Sequence, residues 1–208
     1  MLRKRVKKVI TNDTIDQSYT DRLIGLESVW KKVLDVQMPY RMHLRWLKLG
    51  FVLDIGCGLA RNLINLGGNA ARVGIDHNRH SIVVANERGV TAFTPEDFEG
   101  SAYARKGRFD TILLSHVAEH MKREDVIDLL HKYLAYLHPG GRVVFITPHE
   151  LGFRSDPTHV MFMDFEELAA IAKYAGLKVE RQYSFPFPRV IGHVFKHNEF
   201  ITILRNKP

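Results

Sequence analysis

His116, Glu119 and His120 stand at spacing i, i+3 and i+4, so on one helical turn all three share a face. Two imidazoles beside a carboxylate can do two kinds of chemistry. A histidine can take a proton from an acceptor while Glu119 orients it. Alternatively, the same groups can hold a divalent cation as a mixed nitrogen and oxygen ligand set. Two further histidines follow, His149 in Thr-Pro-His-Glu and His159 in Asp-Pro-Thr-His. The candidate catalytic set is therefore His116, Glu119 and His149, and the candidate metal set is Glu119, His120 and His159. Ordinary structural hydrogen bonds remain a third use for these residues.

A second constellation lies upstream, in Asp54-Ile55-Gly56-Cys57-Gly58-Leu59-Ala60-Arg61. Gly56 and Gly58 permit a tight turn and close approach of a ligand to the backbone. The dinucleotide fingerprint G-x-G-x-x-G fails, because Arg61 occupies its last position. Asp54 would also repel a pyrophosphate and favour a ligand carrying a cationic amino group. Asp76 follows 22 residues later, where an acid accepts hydrogen bonds from ribose hydroxyls. Together the acids and glycines describe a nucleoside with a cationic tail.

The elements that must position these residues alternate. Residues 14–36 have helical apolar spacing, and a second helix runs through Pro-Tyr-Arg-Met-His-Leu-Arg-Trp-Leu-Lys-Leu to Gly50. Strands are expected over 51–55, 71–76, 90–93, 109–115, 142–147, 177–184 and 199–205. Helices are expected around Asn62–Leu66, through 82–87, from Val126 to Leu137, and from an Asp164 cap to Tyr174. Pro139-Gly140-Gly141 reads as the turn into the fifth strand. His43, His131 and His138 read as solvated helical positions. Such alternation specifies an α/β fold: a doubly wound, seven-stranded, mostly parallel sheet with N-terminal helices and an antiparallel edge hairpin. Ligands in such sheets sit at the carboxyl ends of the strands.

VLDIGCGLARNL, VGIDHNRHSI, TPEDF, FDTILLSHVAEHM and LHPGGRVVFITP resemble, in order and spacing, the successive motifs of class I S-adenosylmethionine-dependent methyltransferases. The resemblance runs from about Leu49 to the C-terminus. It implies S-adenosylmethionine as cofactor, with Asp54, Gly56 and Gly58 around its amino-acid tail. Ala60 takes the place of a third glycine, and Asn62 opens the helix beyond it. Asp76 and His77 fall at the ribose, Glu96 and Asp97 near the adenine, and Ser115 with His116 beside the sulfur. The pattern H-x-x-E-H with a distant His is similar to the E-x-x-E-H…H cluster of small-RNA 3′-terminal 2′-O-methyltransferases, which implies a divalent cation such as Mg²⁺. Here His116 replaces the first acid. The stretches PYRMHLRWLKLG, GIDHNRHS and FPFPRVIG are similar to small actinobacterial methyltransferases that include mannoside 1-O-methyltransferases. The sequence has no N-P-P-Y or D-P-P-Y motif of the amine methylators, so the implied reaction is O-methylation of a small-molecule hydroxyl, a mannoside among them. An RNA 2′-O-methyltransferase and a non-catalytic cofactor-binding subunit are the alternatives.

Composition bounds these readings. The chain has 208 residues, 45% hydrophobic and 25% charged, with a net charge of +7. That balance suits one globular domain over 1–208 and excludes a disordered or fibrous chain. Within it, 1–12 is a basic tail, 13–50 N-terminal helices, 51–148 the cofactor-binding core, and 149–208 the acceptor-side loops and last strands. Five of the positive charges fall within the first eight residues. The remainder is nearly balanced, so nucleic acid is not the expected partner. A lone Cys57 implies a reducing compartment, hence the cytoplasm. No signal peptide and no apolar run long enough for a membrane span are read, and a homo-oligomer remains open.

Overall fold

In the computed structural model, residues 37–67 and 71–206 are described; the basic tail and the helix expected over 14–36 lie outside them. The strands are β1 (Val52–Ile55), β2 (Arg72–Ile75), β3 (Ala92–Phe93), β4 (Phe109–Ser115), β5 (Leu137–Pro148), β6 (Lys178–Phe185) and β7 (Glu199–Arg205). They form one seven-stranded sheet in the order β3-β2-β1-β4-β5-β7-β6. The first five run parallel, β7 is antiparallel to β5, and β6 pairs antiparallel with β7 at the edge. The expected doubly wound sheet and its antiparallel hairpin are both present. Chain order reverses between β1 and β4, the place where such sheets open a ligand crevice.

The helices are α1 (Met38–Trp46), α2 (Arg61–Leu66), α3 (Arg79–Glu87), α4 (Pro95–Glu99), α5 (Arg123–Leu134), α6 (Glu150–Arg154) and α7 (Phe165–Tyr174). Successive strand residues point to opposite faces, so the sheet separates two cores. Leu53, Ile112, Leu114 and Phe145 pack on one side with Phe98, Val126 and Leu130. Val52, Leu113, Val144 and Ile203 pack on the other with Leu44, Leu63 and Ile82. No helix among the described residues is long and apolar enough to cross a membrane.

Several boundaries differ from the periodicity. α1 stops at Trp46 rather than near Leu49, because Lys48 and Gly50 take left-handed backbone with φ of 48° and 67°. α3 begins early, at Arg79, where the Asn78 side chain accepts from Ser81 N–H at 3.0 Å. α5 ends at Leu134, and Leu137, apolar at helical spacing, instead opens β5 opposite Phe109. Pro139-Gly140-Gly141 lies within β5 as a register irregularity. Asp164 caps α7 as expected, accepting from Glu167 N–H at 2.9 Å. His43 is buried rather than solvated: it stacks on Phe185 at 4.0 Å and meets Tyr183 Oη at 2.6 Å.

Candidate active site

β1 and β4 deliver their last residues to the same edge, with Ile55 opposite Leu114. After β1 the chain turns sharply, and both Gly56 and Cys57 donate to the Ile75 carbonyl of β2, at 2.7 and 3.0 Å. Gly56 has φ 73°, and a Cβ there would overlap Val117. Ala60 caps α2 at φ 59° while fully buried, a left-handed conformation that suits glycine better. Asp54 lies inside this turn, 1% exposed, and neither carboxylate oxygen meets a donor in hydrogen-bonding geometry. Burial raises its carboxyl to about 8, repulsion from Asp76 adds to the rise, and the nearby Asn62 side chain opposes it. Asp76 is satisfied differently. Its Oδ2 accepts from Gly58 N–H at 2.8 Å and its Oδ1 from Asn78 N–H at 2.9 Å. A carboxylate oxygen has further lone pairs, so Asp76 can also accept from ligand hydroxyls.

On the other side of the crevice β4 ends in Ser115. His116 follows with a left-handed φ of 58°, which turns its ring back between two carboxylates. Nδ1 lies 3.1 Å from Glu119 Oε1, and Nε2 lies 3.0 Å from Glu199 Oε1. Burial works against the imidazolium, but hydrogen bonds to Glu119 and Glu199, with their charges, raise His116 to about 10. The side chain is nonetheless 42% exposed, so one face of the ring is open to solvent or a ligand. Glu119 sits on the 3₁₀ turn Ala118–His120 and is fully buried, its Oε2 without a partner.

Glu119, His120 and His159 each bring one ligand atom within 4.8 Å of the others. The loop 156–160 is held there because Val160 N–H donates to the Glu119 carbonyl at 2.7 Å. His120 Nδ1 faces the Thr158 carbonyl at 3.2 Å, and His159 Nδ1 faces the Phe153 carbonyl at 2.7 Å. Each Nδ1 must therefore be the donor, which leaves each Nε2 with its lone pair.

The fold thus draws Asp54, Gly56, Gly58, Ala60, Asn62 and Asp76 to one side of the crevice, and His116, Glu119, His120 and His159 to the other. Other expected residues behave differently. His149 belongs to the core: it is fully buried, packs on Phe200 at 3.9 Å, and would overlap any Cβ on Gly192. Burial and the Arg189 charge lower it to about 4, and as placed it cannot touch an acceptor. His116, bonded to carboxylates through both nitrogens, lacks the lone pair a general base requires. Glu96 and Asp97 lie on the exposed face of α4, where Asp97 accepts from Thr94 Oγ1 at 2.8 Å. His77 is half-exposed, 3.7 Å from Asp76. Glu199 was not expected at all. It begins an antiparallel strand, so a search of strand carboxyl ends passes over it.

A family model described as a methyltransferase domain matches residues 41–182. A search of curated proteins finds no match in sequence. Among solved structures, the chain is similar to magnesium protoporphyrin IX methyltransferase from Synechocystis PCC 6803, with TM-score 0.66, 16% identity and 100% of each chain covered. It is also similar to a SAM-dependent methyltransferase from Archaeoglobus fulgidus, with TM-score 0.62 and 18% identity over 92% of this chain and all of that one. A third, an S-adenosylmethionine-dependent methyltransferase from Mesorhizobium loti, gives TM-score 0.59 and 16% identity over 79% of this chain and 96% of that one. With the family match spanning most of the chain and the same sheet in these structures, the protein belongs to the methyltransferase-domain family.

Proposed function

We propose that the protein transfers a methyl group from S-adenosylmethionine to a hydroxyl of a small molecule, with a mannoside as the leading acceptor. The observation that carries the cofactor assignment is the buried, unpartnered carboxylate of Asp54 beside the glycine turn. Burial without a partner holds this carboxyl protonated near neutral pH, and a cationic amino group bound against it would stabilise the ionised form. Asp76, already shaped by Gly58 and Asn78, would take the ribose hydroxyls. When bound, the cofactor supplies an electrophilic methyl group on a sulfonium. The chain's own work is then to orient, to exclude water and to move a proton.

Acceptor class follows from charge. Asp54, Asp76, Glu119 and Glu199 make this edge of the sheet acidic, which suits a neutral, hydroxyl-bearing acceptor better than a phosphate or a nucleic acid. The FPFPRVIG and GIDHNRHS resemblance supports a sugar. A second element of the reading is a divalent cation held by Glu119 Oε2 and the Nε2 atoms of His120 and His159. Two imidazoles and one carboxylate form a softer set than the oxygen shell Mg²⁺ prefers, so Mn²⁺ and Zn²⁺ are the informative probes beside it. A cation there would lower the proton affinity of an acceptor oxygen.

Methyl transfer from labelled S-adenosylmethionine to mannose, a simple phenol and a short RNA, each with and without chelator, tests the reading. Methylation of the sugar is expected, and chelation should suppress it while cofactor binding persists. Transfer to RNA alone would replace the sugar. Turnover indifferent to chelator would remove the cation.

A further inference from the structure

We propose that Glu199 binds the acceptor's hydroxyl and receives its proton; the assignment rests on the O-methyl-transfer reading above. Because β7 runs antiparallel to β5, its first residue stands at the ligand edge. Glu199 lies opposite Pro148 of β5 and Phe185 of β6. Its Oε1 is fixed at 3.0 Å by His116 Nε2, and His116 is fixed in turn at 3.1 Å by Glu119. A carboxylate oxygen can only accept, so both ring nitrogens donate. His116 orients and neutralises Glu199; it has no lone pair for a substrate.

The other carboxylates of this edge are spent or out of reach. The Glu119 side chain is 0% exposed. Asp76 accepts from two backbone amides and is assigned to the cofactor's ribose. Asp54 lies within the cofactor turn, and Glu150 forms a two-pronged pair with Arg189. The Glu199 side chain is 12% exposed, and its Oε2 has no hydrogen-bond partner among the described residues. An acceptor hydroxyl bound beside the exposed ring of His116 would have this oxygen available as its hydrogen-bond acceptor. Tyr40 and Phe185, edge to face with centroids 5.6 Å apart, line the same corner, and Phe185 is Glu199's direct neighbour across the sheet. An aromatic wall beside a hydrogen-bonding carboxylate suits a polyol ring.

The step balances without a further reactant. The acceptor oxygen forms its bond to the methyl carbon, and the methyl–sulfur bond breaks with its electron pair going to sulfur. The hydroxyl proton passes to Glu199 Oε2. One positive and one negative charge disappear together, leaving an ether, a thioether and a carboxylic acid. That acid then returns its proton to water through the open edge.

Glu199→Gln is the decisive variant, since its amide can still accept from His116 but cannot take a proton. Calorimetry with S-adenosylmethionine and turnover with mannose, or with glycerol at molar concentration, are measured on the full chain. Cofactor affinity should stay within about twofold of wild type. At the same time kcat should fall about 100-fold or more, with KM for the alcohol little changed. Glu199→Asp, which keeps the proton acceptor, should recover part of kcat. If Glu199→Gln retains more than a third of wild-type kcat, Glu199 is not the proton acceptor and the methyltransferase reading stands. If wild type binds the cofactor but methylates neither alcohol, the O-methyl reading fails and takes this assignment with it.

Discussion

Asp54 and Glu119 are both buried carboxylates at neighbouring strand ends, and the protein treats them in opposite ways. Asp54, near the end of β1, has the Asn62 side chain nearby but no donor in hydrogen-bonding geometry, and burial leaves its carboxyl raised to about 8. Glu119, after β4, is given a cation of the protein's own in His116, which Glu199 holds from the other side. Asp54 has no cation of the protein's own, whereas Glu119 has one on Oε1 and leaves only Oε2 open. The difference matches the proposed function, in which a cationic cofactor meets one half and a neutral acceptor the other.

The comparison is broken most directly by Asp54→Asn. Affinity for S-adenosylmethionine should fall about 10- to 100-fold, through loss of a charge-assisted hydrogen bond. The melting temperature of the cofactor-free protein at neutral pH should rise, because the cost of burying a carboxyl that must take up a proton to fold has gone. Calorimetry and thermal unfolding read the two opposite signs; a fall in both affinity and stability would show that Asp54 is paired after all.

The mirror experiment is His116→Gln. It should cost about 2 kcal/mol of stability by leaving buried Glu119 without its cation, while cofactor affinity stays within about threefold. Urea unfolding and calorimetry decide between them. Unchanged stability would mean the carboxylates never needed the imidazolium.

A pH titration sharpens the contrast. Asp54 is raised from an ordinary 3.8 to about 8, so between those limits the cofactor-free fold binds a proton that the unfolded chain does not. Its contribution to stability is therefore greatest near pH 4 and declines as pH rises to about 8. A cationic amino group selects the ionised form. Cofactor binding at pH 6–7 should then release a proton, and affinity should increase toward pH 8. Calorimetry in two buffers of different ionisation enthalpy measures that release, which should vanish in Asp54→Asn.

Ala60→Gly is the smallest effect. Relief of a left-handed alanine, worth about 1–2 kcal/mol, nearly offsets the buried methyl lost, about 0.8 kcal/mol, and the extra freedom of the unfolded chain. Stability should change by less than about 1 kcal/mol, and cofactor affinity by less than about threefold. A loss of several kcal/mol would show that the methyl group organises the turn.

The cofactor half was legible because it is local. Asp54, the glycine turn and Asp76 span 22 residues of strand, turn and strand, and their roles follow from chain direction in a parallel sheet. The cluster His116-Glu119-His120 was legible as neighbours after β4, but not as one helical face: His116 has left-handed backbone before the 3₁₀ turn Ala118–His120, and His120 faces Thr158 and His159. His149 misled because position in sequence, just beyond a strand's carboxyl end, says nothing of what packs over it. Here Gly192 and Phe200 do so, and both come from the last part of the chain. His43 misled likewise, being covered by Tyr183 and Phe185 from β6.

By itself the sequence determined the alternation of strands and helices, the two acids that flank the glycine turn, and the adjacency of His116, Glu119 and His120. Those depend on hydrophobic period and on spacings within one or two elements. The tertiary structure alone decided that His116 is clamped rather than free, that Glu199 meets it from 83 residues away, and that His149 is core. Each turns on β7 inserting antiparallel between β5 and β6. Strand direction and order come from long-range pairing, and no local spacing encodes them.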